Sequence, residues 1–293
     1  VRYVLLTKFW NEKHKLRGIV DTITKQSLKP VVWLLLDDGS TDGSLERFKR
    51  LCTENGIPTL SVQMPQKTKG NIDALGRVYQ LAFDTWKEHI RKTYAPHCFA
   101  MLDVDSKVPP NYFQSLAHIL NKYPLIGAIA GQVKGEDRQS SPQGSGKMVK
   151  WSVIEEIDRM WDLDADTFLN IKAYALGYWC VIVNNLHVYA EPSLFYSTKG
   201  AFRFGRRMFY VRRALPIMLL VLLRGILRRK MAFLNQFRGW SLEMARNNWK
   251  CHDTDVLESY GIIRYLNRQQ KRTEVVEINE SNNKLVCKTM ATS

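Results

Sequence analysis

Six consecutive apolar residues at 31–36 (VVWLLL), cut off by Asp37-Asp38-Gly39-Ser40, constrain this chain more than any other segment. A strand solvated on one face alternates polar and apolar residues. A short run apolar on both faces belongs at the centre of a parallel sheet, with helices covering each side. The surrounding pattern agrees. Apolar runs at 3–7, 59–63, 98–102 and 126–131 alternate with stretches at 12–26, 44–55, 73–91 and 110–122. In those stretches apolar residues recur at helical spacing, as Leu16, Ile19, Val20 and Ile23 do. This order predicts an α/β fold, a doubly wound and mostly parallel sheet flanked by helices. Ligands of such sheets bind beyond the carboxyl ends of the strands, and two acidic motifs, Asp37-Asp38 and Asp103-Val104-Asp105, fall there.

Further along, 134–147 (KGEDRQSSPQGSGK) reads as a mobile polar loop inside the same domain, because the sheet-like pattern resumes after it. Helices are expected at 151–158 and 166–176, and short strands at 178–183 and 187–189. Past Glu191-Pro192 the chain turns basic and helical, which predicts a domain over 1–195 and a basic helical C-terminal region over 196–293. Its last part, 273–293, is polar and expected to fray.

Charge is unevenly placed. The formal net charge is +15, and from Lys199 to the end there are 19 Lys/Arg against 7 Asp/Glu. The segment 199–230 holds ten basic residues and no acidic one. Such a region fits a polyanion, either a membrane surface or nucleic acid. No nucleic-acid-binding motif is present and the aromatics form no stacking platform, so nucleic acid is not an expected partner. The uncharged stretch 214–223, bracketed by arginines, is too short to span a bilayer but suits a helix lying in the headgroups of an anionic membrane. The first apolar run, 3–7, is too short for a signal-peptide core. Five scattered cysteines without a CxxC pair argue against a disulfide framework or a zinc site. A cytoplasmic setting, peripheral at the inner membrane face, is therefore expected.

Three acidic motifs carry the chemistry. In Asp37-Asp38-Gly39-Ser40-Thr41-Asp42, carboxylates at a strand end can accept hydrogen bonds from a base or ribose. The motif reads equally as an acidic turn that caps the next helix. Asp103 and Asp105 stand at i and i+2, so in extended chain both face one side and can share a cation. Their hard oxygens suit Mg²⁺ or Mn²⁺ bridging to a diphosphate. Around 161–166 (WDLDAD), one carboxylate can serve as general base toward a hydroxyl, or simply favour a helix N-terminus.

Taken in this order and spacing, the motifs resemble the family 2 glycosyltransferases with the GT-A fold. The matching pieces are Asn11-Glu12, the DDGSTDGS stretch at 37–44, Lys69-Gly70-Asn71, the LDVDS stretch at 102–106, Gly144-Ser145-Gly146, and 166–178 ending in Gly177-Tyr178. The resemblance covers about residues 1–195. It implies an inverting, metal-assisted transfer of a sugar from a nucleotide-diphosphate donor to a glycan or lipid-linked acceptor. It also implies that Asp38, with Asp37, Thr7 and Phe9, holds the nucleotide and that Lys69 or Lys147 meets phosphate. Asp103 would touch donor and metal, Asp105 would ligate Mn²⁺ or Mg²⁺, and Asp166 would be the base with Asp164 as its rival. Ala165 stands where the family has Glu, and Ala190 where it has a His that would be a third metal ligand. Those departures give weight to a non-catalytic membrane-surface scaffold of the same fold. A sugar nucleotidyltransferase is a further alternative, but it would carry a Gly-rich loop after the first strand, and 7–13 (TKFWNEK) has no glycine.

Overall fold

The computed structural model describes residues 1–65, 75–135, 139, 141–161, 165–190, 198–246, 250–260, 273–279 and 284–287. Lys69 and Asp164 lie outside the described residues. The chain forms two compact units, 1–191 with 272–293, and 192–271.

The first unit is built on β1 (Tyr3–Phe9), α1 (Leu16–Thr24), β2 (Val32–Asp37), α2 (Ser44–Glu54) and β3 (Thr59–Gln63). There follow α3 (Leu75–Tyr94), β4 (Cys98–Met101), α4 (Tyr112–Lys122) and β5 (Ile126–Val133). Then come β6 (Lys147–Lys150), α5 (Trp151–Glu155), α6 (Ala165–Ala175) and β7 (Trp179–Val188), and late in the chain β8 (Thr273–Asn279) and β9 (Lys284–Cys287). All nine strands form one sheet in the order β3-β2-β1-β4-β6-β5-β7-β8-β9. Strand β6 runs antiparallel to β4 and β5, and β9 antiparallel to β8; the other pairings are parallel.

Every residue of β2 is buried, as a run apolar on both faces requires. Helix α1 seats Leu16, Ile19, Val20 and Ile23, and α2 seats Leu45, Phe48, Leu51 and Cys52, in one core with Tyr3, Trp33, Tyr112 and Phe113. The strand order matters for the site. From β1 the chain winds outward to β2 and β3, then returns to lay β4 on the other side of β1. Loops leaving β1 and β4 therefore diverge, opening a crevice at their carboxyl ends.

Three expectations are corrected. Strand β6 is not among the expected strands: only Lys147 falls in the expected loop and 148–150 fall in no expected element, yet the segment pairs with β4 from Cys98 opposite Lys150 to Met101 opposite Lys147. The two short strands expected at 178–183 and 187–189 are one strand, β7, whose register slips against β5 between Gly131 and Gln132. Of the tail expected to fray, 273–279 instead forms β8 on β7 and 284–287 forms β9, so the C-terminal region is not continuous over 196–293.

The second unit contains α7 (Thr198–Tyr210), α8 (Leu215–Leu227), α9 (Met231–Ala245) and α10 (Thr254–Tyr260). Helices α7 and α9 touch backbone to backbone. A Cβ on Gly205 would lie 1.9 Å from the Gln236 carbonyl oxygen, and one on Gly239 2.2 Å from that of Phe202. Arg206 pairs with the buried Glu243 across this contact, and the Trp240 indole donates to the Arg213 carbonyl at 3.2 Å. Helix α8 lays Ile217, Met218 and Gly225 inward.

Candidate active site

Beyond the carboxyl ends of β1 and β2, two loops lock together. Asn11 accepts from the Thr41 N–H at 2.8 Å, while its own N–H donates to Ser40 Oγ at 2.9 Å. Asp42 accepts from the N–H groups of Lys13 and Ser44, and Ser44 Oγ accepts from the Glu12 N–H. Gly39 and Gly43 have φ of 82° and 77°, where a side chain would be strained. The loop after β2 is thus shaped by its own polar residues, and Asp37 belongs to that task. It is fully buried, with Oδ1 accepting from the Ser40 N–H and Oδ2 from Gln63 Nε2, both at 2.9 Å. Asp38 turns the other way and accepts from Lys8 Nζ at 3.3 Å. Lys8 was missed in the sequence, although a single charge closing the apolar strand YVLLTKF was a signal for it.

Thr7 and Phe9, expected beside the base, have side chains committed to the interior. Thr7 Oγ1 donates to the Leu102 carbonyl at 2.9 Å and accepts from the Trp33 indole at 3.0 Å, with no exposed surface. Phe9 packs edge-on against Phe48 at 5.3 Å between ring centres. On a strand capped by a helix, alternate residues must face that helix, and these two do.

The other end of the crevice gathers carboxylates. Asp103 is exposed, two residues past β4, and accepts a short hydrogen bond from Ser145 Oγ. The neighbouring Gly144 donates its N–H to Asp166 Oδ2 at 3.2 Å. Two consecutive residues of one loop therefore join Asp103 to Asp166, which lie far apart in sequence. That loop is itself fixed: Gly146 (φ 80°) donates to the Met101 carbonyl at 3.0 Å and accepts from the Tyr112 hydroxyl at 2.7 Å. A Cβ there would meet that hydroxyl at 2.6 Å. Earlier in the loop, buried Gln139 accepts from the Val133 N–H at 2.9 Å. The segment expected to be mobile is thus anchored at 139 and over 142–147.

Electrostatics ties the same groups together. Although part of its surface opens to solvent, Asp103 sits deep among protein atoms; that desolvation, then the charges of Asp105 and Asp166, raise its carboxyl above the ordinary range, against the pull of Ser145 and Lys8. The phenol of Tyr79 on α3 is pushed well up, chiefly by burial and then by the fields of Asp103, Asp166 and Asp38. One tyrosine thus lies within the field of aspartates from all three motifs. Lys147, read from the sequence as a phosphate contact, is corrected. It is fully buried, and its ammonium donates to the Asp166 carbonyl at 2.6 Å and to Asn170 Oδ1 at 2.9 Å. Burial lowers its pKa to about 8.

Among the described residues no three His, Cys, Asp or Glu side chains group as a metal site. Asp103 and Asp105 form a pair of hard oxygen donors, one of them exposed, which suits a divalent cation whose remaining ligands are diphosphate oxygens and water. The backbone bridge between Lys107 and Tyr189 sets the end of β7 beside this loop, and the residue that follows there, Ala190, offers no ligand.

Similar architecture occurs in solved structures. A mannosyltransferase from Pyrobaculum calidifontis, PcManGT, in complex with GDP-Man and Mn²⁺, matches at 14% identity with a TM-score of 0.56, over 92% of this chain and 81% of its own. S. aureus TarS 1–349 in complex with UDP matches at 15% identity and a TM-score of 0.51, over 98% and 96%. The same protein in complex with UDP-GlcNAc matches at 13% identity and 0.51, over 71% and 66%. No curated protein matches by sequence. A mostly parallel sheet with a switch-point crevice of this form is the GT-A fold of the glycosyltransferases. The glycosyl transferase family 2 profile matches residues 5–176, and the chain belongs to that family.

Proposed function

We propose that this glycosyltransferase takes a sugar from a nucleotide diphosphate and passes it, with inversion, to an acceptor hydroxyl, with Asp166 as general base. The observation that carries the reading is the Gly144-Ser145 bridge, which holds the donor-side Asp103 and the base Asp166 on one wall. Asp38, steadied by Lys8, holds the nucleotide base. Asp103 and Asp105 are the residues that hold Mn²⁺ or Mg²⁺, and the ion when bound neutralises charge on the departing diphosphate.

As the acceptor oxygen bonds to the anomeric carbon, the bond from that carbon to the diphosphate oxygen breaks, and its electron pair leaves with the nucleotide. The hydroxyl proton passes to Asp166. The N–H groups of Gly144 and Thr167 grip one carboxylate oxygen each and fix the orientation in which the base meets the hydroxyl. One displacement without a covalent enzyme intermediate inverts the anomeric centre.

The acceptor we assign is a glycan or lipid-linked hydroxyl, at an anionic membrane surface on the cytoplasmic side. This is supported by the excess of 19 basic over 7 acidic residues from 199 onward. Among the described residues no helix is long and apolar enough to cross a membrane.

The test is transfer from a panel of UDP-, GDP- and dTDP-sugars with Mn²⁺, alongside donor binding by thermal shift. Asp166→Asn should lower kcat by roughly 10²–10⁴-fold while keeping the donor-induced shift, as loss of a general base does. Asp105→Asn should lose the Mn²⁺-dependent part of that shift. Transfer by Asp166→Asn at the wild-type rate ends the assignment of the base.

A further inference from the structure

We propose that α8 is an in-plane anchor whose outer face enters the interfacial layer of an anionic lipid bilayer. The proposal deepens the membrane part of the function above and is independent of the sugar chemistry.

The helix is apolar on two opposite sides. Its inner side seats Ile217, Met218 and Gly225, and at Gly225 the approach to α9 is so close that a Cβ would lie 2.8 Å from that of Phe233. Its outer side carries Leu215, Leu219, Leu223 and Ile226 along one stripe, with Leu220 and Leu227 beside it. All six are between 46% and 74% exposed, and Met231 continues the patch at 64%. A helix in water covers its one apolar stripe and turns polar residues outward; one apolar all round is buried on both sides. Here the second side is bare.

Charge around the patch selects what covers it. Exposed Arg212, Arg224, Arg228, Arg229 and Lys230 rim the helix, and no Asp or Glu occurs from 199 to 242. The first acid beyond, Glu243, is taken by Arg206. A second copy seated on the patch by a two-fold axis would set the cationic rim against itself. An anionic bilayer supplies both an apolar layer and phosphate for the arginines. With thirteen residues, α8 is about 20 Å long against about 30 Å of hydrocarbon, so it lies in the interface and does not cross it.

The test is flotation of the full chain with two kinds of vesicle, phosphatidylcholine alone and phosphatidylcholine mixed with phosphatidylglycerol. The wild type should float with the mixed vesicles at least about tenfold more than with the neutral ones, as paired apolar and electrostatic signals require. Leu219→Ser combined with Leu223→Ser and Ile226→Ser should lose that flotation about as far, and so should Arg228→Gln with Arg229→Gln and Lys230→Gln. Both triple variants should keep the wild-type thermal shift with donor, which separates failure here from failure of the active site. Three outcomes would overturn the proposal. One is a wild type that stays at the bottom with mixed vesicles. Another is a serine variant that floats like the wild type, which means adsorption by charge alone. The third is a lipid-free dimer that the serine substitutions dissolve, which makes a second copy the occupant.

Discussion

Lys147 takes a charge where water does not follow. Its folded pKa, about 8, lies below the usual lysine value of 10.5, and burial is the cause. Below pH 8 both folded and unfolded chains hold the proton, and folding bears the full cost of burying it. That cost is on the order of 3 kcal/mol at about 1.4 kcal/mol per pKa unit. Between pH 8 and 10.5 the unfolded chain binds more protons than the folded one, so the contribution of this residue to stability rises with pH across that window. Urea unfolding at intervals over that range should show the wild type gaining on Lys147→Met. The variant should also lower kcat more than it weakens donor binding, because the Asp166 carbonyl and Asn170 lose their donor. Tyr112 makes a second prediction. Its hydroxyl accepts from the Gly131 N–H and donates to the Gly146 carbonyl, both at 2.7 Å. Tyr112→Phe leaves two buried backbone groups unpaired and should cost about 1–3 kcal/mol in the same measurement.

At the level of elements, legibility followed the strength of each local pattern. The strands and helices from β1 to β5 announce themselves by apolar runs and helical spacing, since each buries a whole stripe or face in the shared core. Strand β6 has two apolar residues, Met148 and Val149, in four positions, and its partner β4 lies about fifty residues earlier in the chain, so nothing local marked it. Strands β8 and β9 are short apolar runs, TEVVEIN and KLVC, set among polar residues and far in sequence from β7, so the segment reads as a tail. For the candidate site, the i, i+2 spacing paired Asp103 with Asp105, whereas Asp38 and Asp166 were singled out by the family resemblance. Lys8 is marked in the sequence only as a lone charge in its strand, and its pairing with Asp38, like the inward turn of Lys147, depends on contacts that spacing does not encode. The turn of the 144–146 loop gives an element-scale prediction. Gly146→Ala, strained at φ 80° and pressed on Tyr112, should cost about 1–3 kcal/mol and lower kcat by moving Ser145 and Gly144 off the two aspartates.

Across the whole molecule, basic charge and acidic charge are sorted. The chain carries +15 in total, yet Asp38, Asp103 and Asp166 all act on Tyr79, and Asp105 and Asp166 act on Asp103. Loss of the rim cations on α8 should leave turnover on a water-soluble acceptor unchanged, while turnover on an acceptor held in anionic vesicles falls. Comparing the two acceptors in one assay reads this directly. Chelation of divalent ions should act in the opposite pattern, depressing both acceptors alike.

The pairing of Lys8 with Asp38 divides the crevice into two compartments of unlike polarity. At Asp38, proposed to hold the heterocycle, the Lys8 ammonium already cancels the carboxylate; at Asp103 and Asp105, proposed to face the pyrophosphate, two carboxylates would meet it with repulsion. On the proposed reading, Asp103 and Asp105 would disfavour a donor without a cation, and a divalent ion held by them would relieve that repulsion. Apparent donor affinity should climb in step with free Mn²⁺ in calorimetric titrations of the wild type, and stay flat for Asp103→Asn with Asp105→Asn.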